Sequence, residues 1–456
     1  MTIILFENDV IEIEKFKSFF KNDLELLKFK ENLEDYWDKK SLFFDAYEQG
    51  KTQKIIDFSN NNYVKVNNYI GFVSFGDFSI NILPKILRFN YEINDQLIKI
   101  FHNNLFFWLS FSQNFNFPFY RSKINIDHIT SPLEGIIELF VSYVNFTLCR
   151  KPLFQYVNRS DIGTTIKGKI NFSDYLRSSF PNGQHQNIPY DLDSFELDNL
   201  MNQVIKFTLK KIKSITKSKF ILDLTNKVLY LLSNVTDLII LDNYFDKIHI
   251  SYLNREYILI KDLARMIISN NSIGSSNKLI NGFSFLLPSE MVFEGFLTGV
   301  FRKYLTPEFK LYSQGIGNYT GDWYKQDQFL SKAIRLKEDL IIEKDNNRYV
   351  IDFKYKEITN LIKQSQTETS IDRNDINQII NYSRINNSKN NFLIYPESHP
   401  FEIRETEISL NIKLNGDLVK IYIAKFPFFF MEDKHSDKLN KIVSFMENFK
   451  SNLRTN

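Results

Sequence analysis

The stretch Lys337–Glu357, KEDLIIEKDNNRYVIDFKYKE, restricts the possible folds more than any other part of the chain. Two short apolar runs flank a polar turn, and each reads as a β-strand. The first run opens on an acid, Asp339. The second carries another, Asp352, with Lys354 two residues on. In an antiparallel hairpin, directly opposed residues share a face. A two-residue turn at Asp345-Asn346 places Asp339 opposite Asp352, and one at Asn346-Asn347 places it opposite Lys354. Asp352 and Lys354 share a face in either case, while Ile351 and Phe353 point the other way into a core. A three-residue turn reverses the parity.

Two carboxylates on one face repel, and both stay ionised at low cost only with a cation between them. Oxygen ligands favour a hard divalent ion, Mg²⁺ or in its place Mn²⁺. Such an ion polarises a phosphate oxygen and acidifies water, and a nearby lysine orients the attacking water or offsets charge building on the phosphate. These are the parts that phosphodiester hydrolysis needs. The following segment, RNDINQIINYSRI, reads as a helix with Ile376, Ile379, Ile380 and Ser383 on one side and Asp375, Gln378 and Tyr382 on another. Gln378 is suited to hold a phosphate or the attacking water. The acid-x-Lys triplet alone is weak, since Glu308-x-Lys310 and Glu432-x-Lys434 also fit it. On spacing alone, a metal site and a solvated hairpin edge carry equal weight.

The 456 residues suit two or three domains. An aromatic content of 15% supports large cores and argues against extensive disorder. A net charge of +3 does not identify a nucleic-acid binder but permits a local basic groove. The opening MTIILFENDVIEIEKFKSFF lacks the basic start and small-residue cleavage site of a signal peptide. No apolar run is long enough to span a bilayer. The single cysteine, Cys149, excludes an internal disulfide and a cysteine-based zinc site, and reads as a small buried residue near a helix end. A reducing cytoplasm is the expected compartment.

The expected architecture is α+β and multidomain: a β-rich segment 1–125, a mainly helical segment 126–282 and an α/β segment 283–456. Residues 62–86 alternate as a meander, with turns at Asn67-Asn68 and Gly76-Asp77, and Pro84 ends the last strand. Residues 96–111 read as either a helix or a buried strand. Ser131, Pro132 and Glu134 signal a helix start by capping box. A later helix carries a stripe of Leu197, Leu200, Met201, Val204 and Phe207, with Lys210, Lys211 and Lys213 at its end. The polar run 268–282 reads as a linker. Beyond it, PSEMVFEGFLTGVFRKYL reads as a helix with Phe293, Phe296, Leu297, Val300, Phe301 and Tyr304 on the core side and Glu294 beside them.

These residues together resemble the PD-(D/E)xK nuclease superfamily, and more closely the McrC family, the nuclease subunit of McrBC- and LlaJI-type restriction systems. SEMVFEGFL resembles the helix that opens the nuclease domain, with Glu294 at its acidic position. EDLII resembles the strand with the first metal-binding acid, Asp339. VIDFKYK resembles the DxKYK strand, giving Asp352 and Lys354, and DINQIINY the helix giving Gln378 and Tyr382. Upstream, GFVSFGDFSINILPKI, IKGKINF and YDLDSFELDNLMNQVI resemble further family segments. The chain departs from the pattern where Glu338 replaces the usual proline, and an acid there is expected to repel DNA or compete for metal. The first fifty residues have no counterpart in the resemblance.

The resemblance implies a restriction-endonuclease-like C-terminal domain, with Asp339 and Asp352 as Mg²⁺ ligands, Lys354 as the catalytic lysine and Glu294 and Gln378 in support. It implies an N-terminal partner-binding domain that enters the ring of an McrB-like AAA+ GTPase hexamer and stimulates it. It also implies cleavage of double-stranded DNA when the nuclease domains of two complexes meet. The chain has no G-x-x-x-x-G-K-[ST] loop, so GTP enters only through the partner. A reading of a different class is a catalytically idle adaptor that only activates the motor.

Overall fold

Alternation in the N-terminal segment builds short strands that split between two sheets. The computed structural model describes residues 2–38, 54–75, 78–88, 91–115, 132–241, 243–270, 283–313, 322–325, 328–332, 337–345, 347–358, 371–397, 408–414, 417–432 and 434–454. In chain order the first elements are β1 (Thr2–Phe6), β2 (Val10–Glu12), α1 (Ile13–Lys17), α2 (Asp23–Asp38), β3 (Ile56–Asp57), β4 (Tyr63–Val66), β5 (Tyr69–Phe75) and β6 (Phe78–Leu83). The strands bend where the sequence places Asn67-Asn68, and β6 stops before Pro84, which cannot donate to a ladder. The run is not one meander: β4 pairs with β2 and β3, whereas β5 and β6 belong to another sheet.

The ambiguous run 96–111 lies in helix α3 (Asp95–Phe111), whose N-cap Asn94 accepts a hydrogen bond from Leu97 N at 2.9 Å. Periodicity could not decide the matter because α3 is buried almost all round, as a helix at the centre of a core must be. Trp108 of α3 stacks on Phe428 with ring centroids 4.1 Å apart and donates Nε1–H to Phe428 O at 2.7 Å. Asn104 both donates to Phe430 O and accepts from Phe430 N. The expected cap Ser131 lies outside the described residues.

Packing groups residues 1–135 with 279–456 as one unit and residues 136–278 as another. The sequence-read segments 1–125 and 283–456 thus share a unit, because a strand from the second completes a sheet of the first. The middle unit holds most of α4 (Pro132–Arg150), then β7 (Gln155–Gly163), β8 (Lys169–Ile170), α5 (Phe172–Asp174), β9 (Ile188–Glu196), α6 (Leu200–Ile215), α7 (Lys219–Leu231), α8 (Asn243–Asp246) and α9 (Glu256–Asn270). Strands β7, β9 and β8 form an antiparallel sheet in a segment expected to be mainly helical. The buried stripe of α6 is Met201, Val204, Ile205, Leu209 and Ile212. Leu200 and Phe207 are only half-buried, and Leu197 precedes the helix, so the stripe is rotated from its expected position. Cys149, expected to be buried, is exposed near the end of α4.

The remaining elements are β10 (Phe283–Pro288), α10 (Ser289–Leu305), β11 (Lys310–Ser313), β12 (Asp322–Lys325), β13 (Gln328–Lys332), β14 (Leu340–Lys344), β15 (Asn347–Phe353), α11 (Arg373–Asn386), β16 (Asn390–Pro396), β17 (Ile408–Leu414), β18 (Asp417–Phe426) and α12 (His435–Arg454). β10 pairs with β5, giving the order β1-β6-β5-β10. The second sheet runs β11-β14-β15-β16-β18-β17, with β15, β16 and β18 parallel at its centre. α11 connects β15 to β16 and covers Val350, Leu393 and Ile423 with Ile379 and Tyr382. Phe353 packs instead on Phe301 of α10, and Phe301 on Phe449 of α12. The strand's two faces therefore meet different helices, as period-2 alternation requires.

Candidate active site

The β14–β15 register decides the hairpin parity. Lys344 pairs with Asn347 and Leu340 with Ile351, the register of a two-residue turn. Asp345 sits at φ 49°, a conformation that turn aspartates adopt more readily than most residues. One step past Leu340, the same register sets Asp339 across from Asp352, the first of the two alternatives. Asp339 Oδ2 accepts a hydrogen bond from Phe353 N at 2.7 Å, which ties it to the end of β15. Ile351 and Phe353 are buried on the opposite face, as the alternation predicts.

Asp352 is 1% exposed, so its carboxylate needs compensation from nearby groups. Lys354 Nζ lies 2.7 Å from Asp352 Oδ2. That oxygen nonetheless has no hydrogen bond. The contact is an ion pair. Lys354 Nζ donates to Gln378 Oε1 at 2.8 Å, Gln378 Nε2 donates to the Tyr382 hydroxyl at 2.7 Å, and that hydroxyl donates to Lys337 O at 3.1 Å. A relay from α11 thus fixes the lysine at the acids and anchors itself on the residue that leads into Asp339. Burial pushes the Tyr382 phenol up to about 12, so it serves the relay as a neutral hydroxyl.

The acids strain against one another. Burial, then Glu294, then Asp352 push the Asp339 carboxyl well above the ordinary range. Asp352 is also raised, mainly by burial, with Lys354 opposing the shift. Glu294, on α10, shares with Asp339 the wall of a cavity of about 250 Å³. The structure therefore brings together Asp339, Asp352, Lys354 and Gln378, with Glu294 near enough to repel Asp339. Among the described residues no three His, Cys, Asp or Glu side chains form a ready-made metal cage. The donors nevertheless fit a hard cation: two opposed carboxylates, a buried oxygen without a hydrogen bond, and like-charge repulsion that a cation relieves.

Other residues depart from expectation. Glu338 is fully buried and its Oε1 accepts from Asn386 Nδ2 at 2.7 Å, so it does not stand at the surface where it would meet DNA. Asp375 shares a face of α11 with Gln378 and Tyr382, as expected, and there pairs with Lys356 at 2.8 Å and accepts from the Tyr395 hydroxyl at 3.0 Å. Lys356 also pairs with Asp372 at 3.0 Å. The second lysine of KYK was the available signal for that pair. Tyr355 between the two lysines points away from both and donates to buried Glu7. Nothing local in the sequence links residues so far apart.

The sequence model of the family described as McrBC 5-methylcytosine restriction system component matches residues 64–396. No curated protein matches the chain. Among solved structures, the chain resembles one in "Refined half-complex from tetradecameric assembly of Thermococcus gammatolerans McrB AAA+ hexamers with bound McrC", with TM-score 0.57, 15% identity, and 98% of this chain and 100% of that chain covered. A second similarity, to a chain of "Cryo-EM structure of the Thermococcus gammatolerans McrBC complex", has TM-score 0.40 and 16% identity, and covers 67% of this chain and 88% of that chain. At these identities the first likeness concerns the fold alone.

Proposed function

The chain belongs to the McrBC 5-methylcytosine restriction system component family, and from that membership we propose that it is the system's nuclease subunit, a PD-(D/E)xK enzyme that hydrolyses DNA phosphodiesters. The observation that carries this reading is the convergence of Asp339, Asp352 and Lys354 at one strand end, with the lysine fixed by Gln378. Asp339 and Asp352 would hold Mg²⁺, or Mn²⁺ in its place, which when bound would supply positive charge toward phosphate oxygens and acidify water. Lys354 keeps its ammonium beside the scissile phosphate, where it orients the incoming water and offsets charge on the phosphate. Gln378 positions that ammonium. Glu294 adds a further acceptor on the cavity wall for water.

The partner in this reading is an McrB-like AAA+ GTPase hexamer, which brings double-stranded DNA and handles GTP. Nuclease domains of two such complexes meet for cleavage. In the middle unit, Tyr156 and Phe195, exposed by 75% and 60%, pack on each other beside exposed Phe154, an apolar surface of the kind a protein partner covers.

Asp352→Ala tests the reading. It is expected to abolish cleavage by the complex supplied with GTP and Mg²⁺, while circular dichroism and co-elution with the partner stay unchanged. Normal cleavage by this variant would refute the assignment.

A further inference from the structure

The cavity that holds Asp339 and Glu294 has a second, cationic side. Glu294, Thr298 and Arg302 recur at every fourth position of α10, so one helix face carries the acid and the cation to the same cavity. Eight residues of helix separate Glu294 from Arg302 by about 12 Å. A DNA strand presents one phosphate per ~3.4 Å of axis, so a face about 12 Å long reaches beyond a single phosphate.

The end of α3 and the segment after it pack directly against α10 and line the same cavity with Gln113 and Asn114. A Cβ at Gly295 would meet Asn114 Oδ1 at 2.0 Å, and one at Gly299 would meet Phe111 O at 2.0 Å. Only glycine at these positions lets that segment lie so close. Asn114 is held there by donating to Met291 O at 3.0 Å, and its buried Oδ1 lacks a hydrogen bond. Next to it, Gln113 Oε1 accepts from Arg302 Nη1, while Ser313 Oγ accepts from Arg302 Nη2. Both partners are neutral. They orient the guanidinium without cancelling its charge and, among the described residues, take up two of its five N–H donors. A planar cation fixed in this way suits a phosphate.

We propose that Arg302, oriented by Gln113 and Ser313, is a clamp for a DNA backbone phosphate flanking the one that is cleaved. The inference rests on the nuclease reading for its ligand. It makes the substrate site a joint product of the N-terminal segment and the nuclease sheet, because Gln113 follows α3. Arg302 is a substrate-positioning residue, and the chemistry at Asp352 and Lys354 does not require it.

The test uses the full chain with its partner and GTP, and a fluorescein-labelled DNA duplex. Fluorescence anisotropy over a salt series in EDTA gives binding, and steady-state cleavage in Mg²⁺ gives kcat and KM. Arg302→Gln is expected to weaken binding about tenfold and to lower the slope of log K against log salt by about 1, the signature of one lost phosphate contact. KM should rise with kcat within about twofold. Arg302→Lys, which keeps the charge but not the fork, should keep the slope, and a thermal melt shows whether either variant is folded. An unchanged dissociation constant and slope, a loss of kcat at unchanged binding, or a wild-type complex that does not bind the duplex each overturns the clamp. Wild-type binding without cleavage removes the nuclease reading and leaves the clamp supported by the dissociation constant and slope.

Discussion

Glu7, in a segment without a counterpart in the resemblance, is expected to be among the most sensitive positions in the chain. It is fully buried. One carboxylate oxygen accepts from Lys85 N and the Tyr355 hydroxyl, and the other accepts from Ser289 Oγ. These donors come from the turn after β6, the segment following β15 and the first residue of α10. Glu7→Ala leaves the Lys85 amide and the Tyr355 hydroxyl buried without an acceptor, each costing about 1–3 kcal/mol. Ser289 is relieved, since its hydroxyl also lies 3.3 Å from Asn68 O. With the lost side-chain volume, the total is about 3–5 kcal/mol. For a unit of roughly 300 residues the unfolding entropy is about 0.6 kcal/mol per kelvin, so Tm should fall by about 5–8 °C. Glu7→Gln keeps an acceptor oxygen and should cost about half as much. Calorimetry on the full chain reads both. A Glu7→Ala melt within about 1 °C of wild type would show that the donors find other acceptors and would defeat the argument. Below the transition, cleavage by Glu7→Ala should also slow, because Tyr355 is bonded to Lys354 along the chain.

Gln378→Ala should lower kcat about tenfold with little change in KM, because it releases the Lys354 ammonium without touching DNA, and an unchanged kcat would remove Gln378 from the site. His102, buried against Asn81, is pushed by burial down to about 3, so the folded state stays neutral where an unfolded histidine protonates below about 6.5. The stability tied to this group is fully present above pH 6.5 and is lost as pH falls toward 3, by about 1.4 kcal/mol at pH 5.5. His102→Gln should flatten the pH dependence of unfolding between pH 4.5 and 6.5, and identical slopes for variant and wild type would count against burial as the cause.

Much of the local frame was legible. The hairpin could be reduced to two registers because strand parity is strict, and the structure selects the one with Asp339 across from Asp352. Pro84 marks the end of β6 by chemistry that operates at a single residue, the missing N–H donor. The failures share a cause. α3 was ambiguous because a helix buried on every side has no polar face to set a period. The α6 stripe was displaced because Leu197 belongs to the turn between β9 and the helix, and counting it as helical rotates the face. Glu338 was expected to repel DNA or compete for metal, and nothing local showed its partner Asn386, 48 residues away.

The same distinction separates the two sides of the candidate site. Asp339, Asp352 and Lys354 follow from one hairpin, and their spacing alone states that they meet. Gln113 and Ser313 reach Arg302 from separations of 189 and 11 residues, and no periodicity joins them. Arg302 itself was readable, since Glu294, Thr298 and Arg302 form a row of every fourth residue on a helix whose acid had already been singled out. The two glycines on that helix, Gly295 and Gly299, marked the side where another segment approaches. A carboxylate cluster meant for a polyanion needs a fixed cation near it, because the phosphates beyond the metal still face Glu294 and Asp339. The helix row supplies that cation about 12 Å along the same face, which is why Glu294 in the second turn of α10 and the arginine near its end are, on the proposed reading, parts of one substrate site.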